Sequence, residues 1–199
     1  MKVPASKIAI GFRVHSGWAA MVAVTGSPDH PAILDRRRVQ IAEAPSSGPF
    51  QPYHRARELG VERGKVYLDQ CREASQAFAS AALETAIKHV GGDRVRFCAV
   101  LTGSGRPSAS LEATLASHAA IHTAEGEFFR EIVCYASEFC GLQVRRIKEK
   151  ELFNLAGSKF DLPPAKLKRT LDELGKVVGP PWQQDQKFAA LAAWLAAAG

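Results

Sequence analysis

The strongest constraint on the fold is a series of three extended segments near the start of the chain, joined only by short turns. Residues 7–14 alternate between apolar side chains and small or polar ones, which is the period of a half-buried strand. Residues 18–25 and 32–42 have a similar extended character, with turn residues at Ser16-Gly17 and at 26–30. Turns this short join antiparallel neighbours, so the pattern predicts a three-stranded meander.

The rest of the chain alternates helical and extended patterns. The predicted order is β-β-β-α-β-α-β-α, an α/β fold with a five-stranded mixed sheet, three strands antiparallel and two parallel, flanked by helices. A helical insert over about 148–180 precedes the final helix. The predicted elements are a helix over 63–90, a strand over 95–101, helix over 108–140 in one or two pieces, a strand over 142–147 and a final helix over 184–198.

Length and composition predict one domain over residues 1–199. The chain is 46% apolar, enough for one sizeable core and short for two. No apolar run reaches the roughly 18–20 residues that span a bilayer, and residues 1–4 do not begin a secretory signal, so we expect a cytoplasmic protein without membrane contact. The net charge of +6 is compatible with an anionic partner such as nucleic acid.

Two short motifs support a family resemblance. The first strand ends in Gly11-Phe12-Arg13-Val14-His15-Ser16-Gly17, and the last helix opens with Asp185-Gln186-Lys187-Phe188-Ala189-Ala190-Leu191-Ala192. With the element order, these motifs resemble the ribonuclease H-like superfamily, and most of all its branch of RuvC-type Holliday-junction resolvases and YqgF-like relatives. In that branch a Gly-Ile-Asp-x-Gly strand is followed by Thr-Gly or Ser-Gly, and an acidic residue opens an Ala/Leu-rich last helix.

The sequence departs from this family at Arg13. In active members the first-strand aspartate that the resemblance aligns with Arg13 helps to hold two divalent metal ions, which activate water for phosphodiester hydrolysis. A guanidinium about 4 Å from a divalent ion would be repelled by roughly 8 kcal/mol at an effective dielectric near 20. We therefore expect the two-metal nuclease site to be absent, with no cofactor and no metal; Mg²⁺ or Mn²⁺ would be needed only by an active enzyme.

The resemblance places Asp185 on the family's last acidic position. A carboxylate at a helix N-terminus is also stabilising by itself, by about 0.3 to 1 kcal/mol. We predict that Asp185 forms an ion pair with Arg13 in place of metal ligation, which would preserve the fold and end the chemistry. His15, on the same strand face as Arg13, and Lys187, in the first turn of the last helix, are counted with Arg13 as candidate ligand-binding residues.

A second candidate cluster lies in the helix after the fourth strand. His118, His122 and Glu125 are spaced i, i+4 and i+7, so on a continuous helix they share one face and could coordinate a metal. The alternative is a helix seam beside Leu111 and Leu115 with its polar groups satisfied by carbonyls or water. We adopt this alternative, and keep Glu125, His122 and Asp185 as candidate catalytic residues.

The segment Thr102-Gly103-Ser104-Gly105-Arg106-Pro107 joins a strand to a helix. Backbone amides in such a loop can cradle a phosphate, with Arg106 supplying charge, although the loop lacks the Gly-Lys-Ser/Thr ending of a P-loop. A plain connecting turn explains the same residues. Gly103, Gly105 and Arg106 are therefore candidate ligand-binding residues.

The Pro/Ser/Gly-rich stretch at 44–54 is predicted to be a loop and a candidate flap. Within it, Phe50 and Tyr53 are predicted to form an exposed apolar flank that could seat a second subunit, which would make a homodimer.

Three functional hypotheses follow. The first is a catalytically degenerate nuclease-like protein that binds nucleic acid or a protein partner. The second is a metal-dependent nuclease or phosphodiesterase with a rebuilt site, which would use Glu125 or His122 as acid or base and Asp185 as the remaining carboxylate. The third, a nucleotide-binding domain like the actin-like ATPases that share this core, rests only on the Gly103 to Arg106 loop. We favour the first.

Overall fold

A computed structural model describes residues 7–43, 50–106 and 108–199. Its strands are β1 (Ile8–His15), β2 (Trp18–Ser27), β3 (His30–Gln40), β4 (Val95–Thr102) and β5 (Gln143–Lys148). They form one mixed sheet in the order β3-β2-β1-β4-β5, in which β1, β2 and β3 are antiparallel and β1, β4 and β5 run parallel. This architecture confirms the predicted ribonuclease H-like sheet.

Helices cover both faces of the sheet. The helices are α1 (Pro52–Leu59), α2 (Val61–Val90), α3 (Leu111–Ala116), α4 (His118–Phe139), α5 (Leu152–Phe160), α6 (Pro164–Val178) and α7 (Gln184–Ala197). Helices α2 and α4 pack against one face, and α7, with α5 and α6, packs against the other. The helical region between β4 and β5 is thus two helices, because Ser117 leaves helical geometry and caps α4 by accepting a hydrogen bond from the backbone N–H of Ala120.

The central strand β1 is buried on both sides because its side chains alternate between the two helical layers. Ile8, Ile10 and Phe12 pack on the α2/α4 side, whereas Ala9 faces α7. Gly11 also faces α7, and a Cβ atom there would lie 1.9 Å from the carbonyl oxygen of Ala189. The missing side chain lets the Ala-rich helix approach β1 directly. This close packing brings the first turn of α7 beside the end of β1.

The predicted loop at 44–54 is partly wrong. Residues 44–49 lie outside the described part of the chain, but α1 begins at Pro52, since proline is well suited to the first turn of a helix. The predicted exposed flank is also wrong: Phe50 and Tyr53 are half-buried, with ring centroids 5.8 Å from Phe129 and 6.1 Å from Phe128 respectively. These contacts dock α1 onto α4.

The helical insert between β5 and α7 is anchored to the far edge of the sheet. Arg36 on edge strand β3 donates hydrogen bonds to the carbonyl oxygen of Val178 (3.0 Å), the last residue of α6, and to that of Pro180 (2.7 Å), just after it. Leu167 and Leu171 of α6 are fully buried in the layer that contains α7. Among the described residues, none of the helices is both long and apolar enough to span a membrane.

Candidate functional site

The candidate site lies where the parallel strands end. The carboxyl ends of β1, β4 and β5 carry Arg13, the Thr102-Gly103 turn and Glu149, and α7 contributes Asp185 from its first turn. Ligands bind at this edge in open α/β sheets, because loops and helix termini converge there. Arg13, Thr102, Gly103 and Glu149 line a pocket of about 530 Å³, and Asp185 contacts Arg13 beside it.

Arg13 is held by two carboxylates. Its Nε and Nη2 atoms each donate to one oxygen of Glu149, both at 2.9 Å, which is the bidentate geometry that guanidinium and carboxylate share. Its Nη1 atom donates to Asp185. The predicted pairing of Arg13 with Asp185 is therefore confirmed. The guanidinium also lies 5.5 Å from the ring centroid of Phe188.

His15 completes this ion cluster from the end of β1. Its Nε2 atom lies 3.1 Å from the same Asp185 oxygen that Arg13 contacts, and its ring stacks on Trp18 with centroids 4.2 Å apart. Arg38, from β3, lies 4.1 Å from the Trp18 ring centroid, a cation–π contact. His15 is thus fixed by a carboxylate and an aromatic ring.

The charges in this cluster stabilise one another. Burial raises the pKa of Asp185, but the hydrogen bond from Arg13 and the nearby His15 lower it by more, so the pKa of Asp185 lies below its ordinary value. The hydrogen bond to Glu149 raises the pKa of Arg13, and burial opposes that rise. The carboxylates of Glu149 and Asp185 at this edge are thus both hydrogen-bonded to the guanidinium of Arg13.

The pocket opens into a larger groove of about 910 Å³ between the β4–α3 loop, α4 and β5. The two share Thr102, Gly103 and Arg130. We call the larger one the basic groove. Its described lining includes four cations, Arg72, Arg130, Arg146 and Lys148, against two carboxylates, Glu127 and Glu131.

Glutamates orient two of these cations. Arg146 makes a bidentate pair with Glu131, in which Nη2 lies 2.7 Å from Oε2, and Arg130 donates to Glu127 at 3.1 Å. The pair with Glu131 raises the pKa of Arg146, and the hydrogen bond from Arg146 lowers the pKa of Glu131. The planar guanidinium groups are thereby positioned before any ligand arrives.

Two glycines make room for Arg130. A Cβ atom on Gly103 or on Gly126 would lie 3.1 Å from the Arg130 Nη2 atom, so both are close neighbours of the guanidinium. Gly103 follows β4 and Gly126 lies in the middle of α4, where glycine costs about 1 kcal/mol relative to alanine. Gly103 lines both the pocket and the basic groove, and Gly126 lies next to Arg130, which also lines both.

The other predicted ligand-binding residues have separate surroundings. Gly105 packs on α4, since a Cβ atom there would lie 2.6 Å from the Thr123 Cγ2 atom. Arg106 is exposed on the same loop. Lys187 forms an ion pair with Asp172 of α6 at 2.7 Å, which joins the insert to α7.

His118, His122 and Glu125 all lie on the continuous helix α4, so their spacing puts them on one side of it, but they differ in burial. The two histidines are exposed, and their Nε2 atoms are 3.0 Å apart, but Glu125 is buried. Its Oε1 atom accepts hydrogen bonds from the backbone N–H groups of Tyr53 (3.2 Å) and His54 (3.3 Å) and contacts His54 Nδ1 at 2.9 Å. Glu125 and Asp185 therefore belong to different clusters.

Sequence reasoning missed several residues that the structure brings into these sites, among them Glu149, Arg130 and His54. Glu149 directly follows β5, and an acidic residue at the carboxyl end of a parallel strand was a usable signal. His54 lies in the helix that was taken for a loop. Neither spacing nor periodicity distinguishes Arg130 from an ordinary surface arginine.

Two solved structures of one protein share the fold of this chain. The chain is similar to RuvC of Thermus thermophilus, with a TM-score of 0.53 and 10% identity over 94% of this chain and 92% of that one. A second structure, T. thermophilus RuvC in complex with a Holliday junction substrate, has a TM-score of 0.53 and 12% identity over 95% of this chain and 91% of that one. No family model and no curated protein matches the sequence.

Proposed function

From the ribonuclease H-like fold that the chain shares with RuvC, we propose that it binds nucleic acid through the basic groove without cleaving it. The observation that carries the proposal is the Arg13 guanidinium bound to both Glu149 and Asp185 at the carboxyl edge of the sheet, beside a groove with an excess of cations.

The absence of cleavage follows from the charge at Arg13. A pair of divalent ions needs several carboxylate oxygens free to ligate. Here Glu149 and Asp185 already share a guanidinium, and a divalent ion about 4 Å from that cation would meet a repulsion of about 8 kcal/mol at an effective dielectric near 20. We infer that the Arg13 guanidinium occupies the position where active members of the family bind divalent ions.

Binding follows from the shape and charge of the groove. Phosphate oxygens are bound well by guanidinium groups. Arg130 and Arg146 are already oriented by their glutamate partners, and because a guanidinium has five N–H donors, each keeps N–H groups outside those pairs for a phosphate. Lys148 is exposed at the end of β5 and adds a third cation, and Arg72 adds a fourth. Backbone phosphates passing along this groove would lie next to the Arg13 cluster.

The structure lends less support to the two other hypotheses. The rebuilt enzyme needs Glu125 to act with Asp185, but Glu125 is buried among donors from α1 while Asp185 contacts Arg13 and His15. The nucleotide-binding hypothesis needs a loop free to wrap a phosphate, but Gly103 borders Arg130 and Gly105 packs on α4.

Fluorescence anisotropy with labelled duplex, single-stranded and four-way-junction DNA, titrated at several salt concentrations, tests the binding proposal. Four phosphate contacts predict a slope of log K against log salt of about −3 to −4 for duplex DNA, so affinity falls about 100-fold between 50 and 200 mM salt. Absence of binding to all three probes at low salt would refute the proposal.

Lys148→Gln and Lys65→Gln form a matched pair for the same titration. Both lysines are exposed, but only Lys148 lines the basic groove. Lys148→Gln is expected to reduce the magnitude of the salt slope by about 0.9, which corresponds to one released counterion, and Lys65→Gln to leave it unchanged. Equal slopes for the two variants would place the binding surface elsewhere.

A further inference from the structure

We propose that His54, His118 and His122 form a binding site for one transition-metal ion of the Zn²⁺ class. This site is independent of the Arg13 cluster. The sequence suggested His118, His122 and Glu125 as possible metal ligands, an option that we set aside; in the structure the third ligand is His54 in place of Glu125. One ring nitrogen from each of the three histidines lies within 4.8 Å of the others.

The geometry is close to that of a three-histidine metal centre. Bond lengths of 2.0–2.1 Å around a tetrahedral zinc ion imply nitrogen pairs about 3.3–3.4 Å apart. The Nε2 atoms of His118 and His122 are 3.0 Å apart, and the His54 ring centroid lies 5.5 and 5.1 Å from those of His118 and His122. Because His118 and His122 are exposed and lie one turn apart on α4, small side-chain rotations suffice to converge on an ion.

The third ligand, His54, contacts a buried carboxylate. The Glu125 side chain is 4% exposed, and its Oε1 atom lies 2.9 Å from His54 Nδ1. When Nδ1 donates its proton to this carboxylate, Nε2 carries the free lone pair. Metal-binding histidines characteristically hold their second nitrogen in this way, which orients the ring and increases its basicity. Glu125 is therefore the positioning residue of the site.

The backbone holds this carboxylate in place. The N–H groups of Tyr53 and His54, in the first turn of α1, donate to the same Glu125 oxygen. These bonds fix α1 to α4 and thereby hold His54 opposite the two exposed histidines. The site is thus built by the packing of two helices.

The ligand set selects the metal. Three neutral imidazoles suit Zn²⁺, Co²⁺, Ni²⁺ or Cu²⁺, whereas Mg²⁺ and Ca²⁺ prefer oxygen ligands. His118 and His122 are open to solvent, which leaves a fourth position for water, as in three-histidine catalytic zinc centres. His122 also lines the basic groove, so the ion would lie at its wall.

Isothermal titration of the metal-free chain, residues 1–199, with Zn²⁺, together with visible absorption after loading with Co²⁺, tests the site. We expect one Zn²⁺ per chain and a Co²⁺ spectrum of tetrahedral type. His118→Gln and His122→Gln should each weaken Zn²⁺ binding by more than the 10- to 100-fold typical of losing an outer-shell partner. The exposed control His89→Gln should bind Zn²⁺ like the wild type.

Glu125→Gln separates positioning from ligation. It should weaken Zn²⁺ binding about 10- to 100-fold while the Co²⁺ spectrum keeps its tetrahedral form. Circular dichroism establishes that each variant is folded. If Glu125→Gln does not fold, the His118→Gln and His122→Gln variants, whose side chains are exposed, still test the site. Absence of stoichiometric Zn²⁺ binding by the wild type, or unchanged binding by both His118→Gln and His122→Gln, would overturn the proposal. DNA affinity is measured separately, so the two proposals can fail independently.

Discussion

Replacing Arg13 with methionine should destabilise the protein by about 2–3 kcal/mol. The substitution keeps an apolar stem beside Phe188 but removes three charge-assisted hydrogen bonds, each of about 1.5–3 kcal/mol, to Glu149 and Asp185. The side chains of Arg13, Glu149 and Asp185 are 21%, 34% and 24% exposed, so water compensates part of this loss. The expected effect is therefore smaller than the 3–5 kcal/mol for breaking a fully buried pair.

Urea unfolding followed by circular dichroism measures this effect, and thermal unfolding should show a decrease in Tm of about 4–12 °C for a chain of this size. Arg55→Met is the matched control, because Arg55 pairs with Glu58 on the surface of α1 and should contribute less than about 0.5 kcal/mol. If Arg13→Met and Arg55→Met had the same free energy of unfolding, the ion pairs of Arg13 with Glu149 and Asp185 would not contribute to stability.

The pH dependence of the Arg13→Met effect has a definite sign. Since the folded-state pKa of Asp185 lies below its ordinary value, its ion pair stabilises the fold fully above the unfolded-state pKa, near 3.9. That contribution disappears as the pH falls through the folded-state pKa. The difference in unfolding free energy between wild type and Arg13→Met should thus be largest near neutral pH and shrink in acid; a difference that grows in acid would refute the assignment.

Three further substitutions test other parts of the account. Arg13→Asp puts a third carboxylate beside those of Glu149 and Asp185, so Mn²⁺ should raise the Tm of this variant and leave that of Arg13→Met unchanged. An equal change in Tm for both variants would contradict the idea that Arg13 replaces a bound metal ion. Gly126→Ala places a Cβ atom 3.1 Å from the Arg130 Nη2 atom, so it should leave the fold intact and weaken DNA binding several-fold in anisotropy titrations; unchanged affinity would show that the position of Arg130 is not critical. Gly11→Ala should cost at least about 3 kcal/mol in urea unfolding, because its Cβ atom would lie 1.9 Å from the Ala189 carbonyl oxygen; a loss below about 1 kcal/mol would mean that α7 moves away easily.

The sheet was predictable because its signals are local. Alternation in β1 and the short turns around β2 fix an antiparallel meander, and the helices between β4 and β5 require parallel pairing. The first turn of α1 was mistaken for loop because the Pro/Ser/Gly-rich sequence before it hides a helix that begins at Pro52. Only tertiary contacts between Tyr53 and Phe128 reveal how that helix is held.

The candidate site was predictable only where a motif marked it. The family pattern identified Arg13 and Asp185 as neighbours, although they lie 172 positions apart in the chain. No sequence motif identified Glu149, and its bidentate pairing with Arg13 depends on the backbone geometry at the end of β5. The His54 contribution to the histidine cluster depends on the packing of α1 against α4, which side-chain periodicity along one helix cannot show.

Binding without cleavage is tested by incubating a labelled four-way junction with saturating protein in Mg²⁺ and in Mn²⁺, and resolving the strands on native and denaturing gels. We expect a retarded complex on the native gel and intact strands on the denaturing gel under both conditions. Shortened strands that disappear with Asp185→Asn would contradict this expectation, because they would show that a metal-dependent nuclease works despite Arg13.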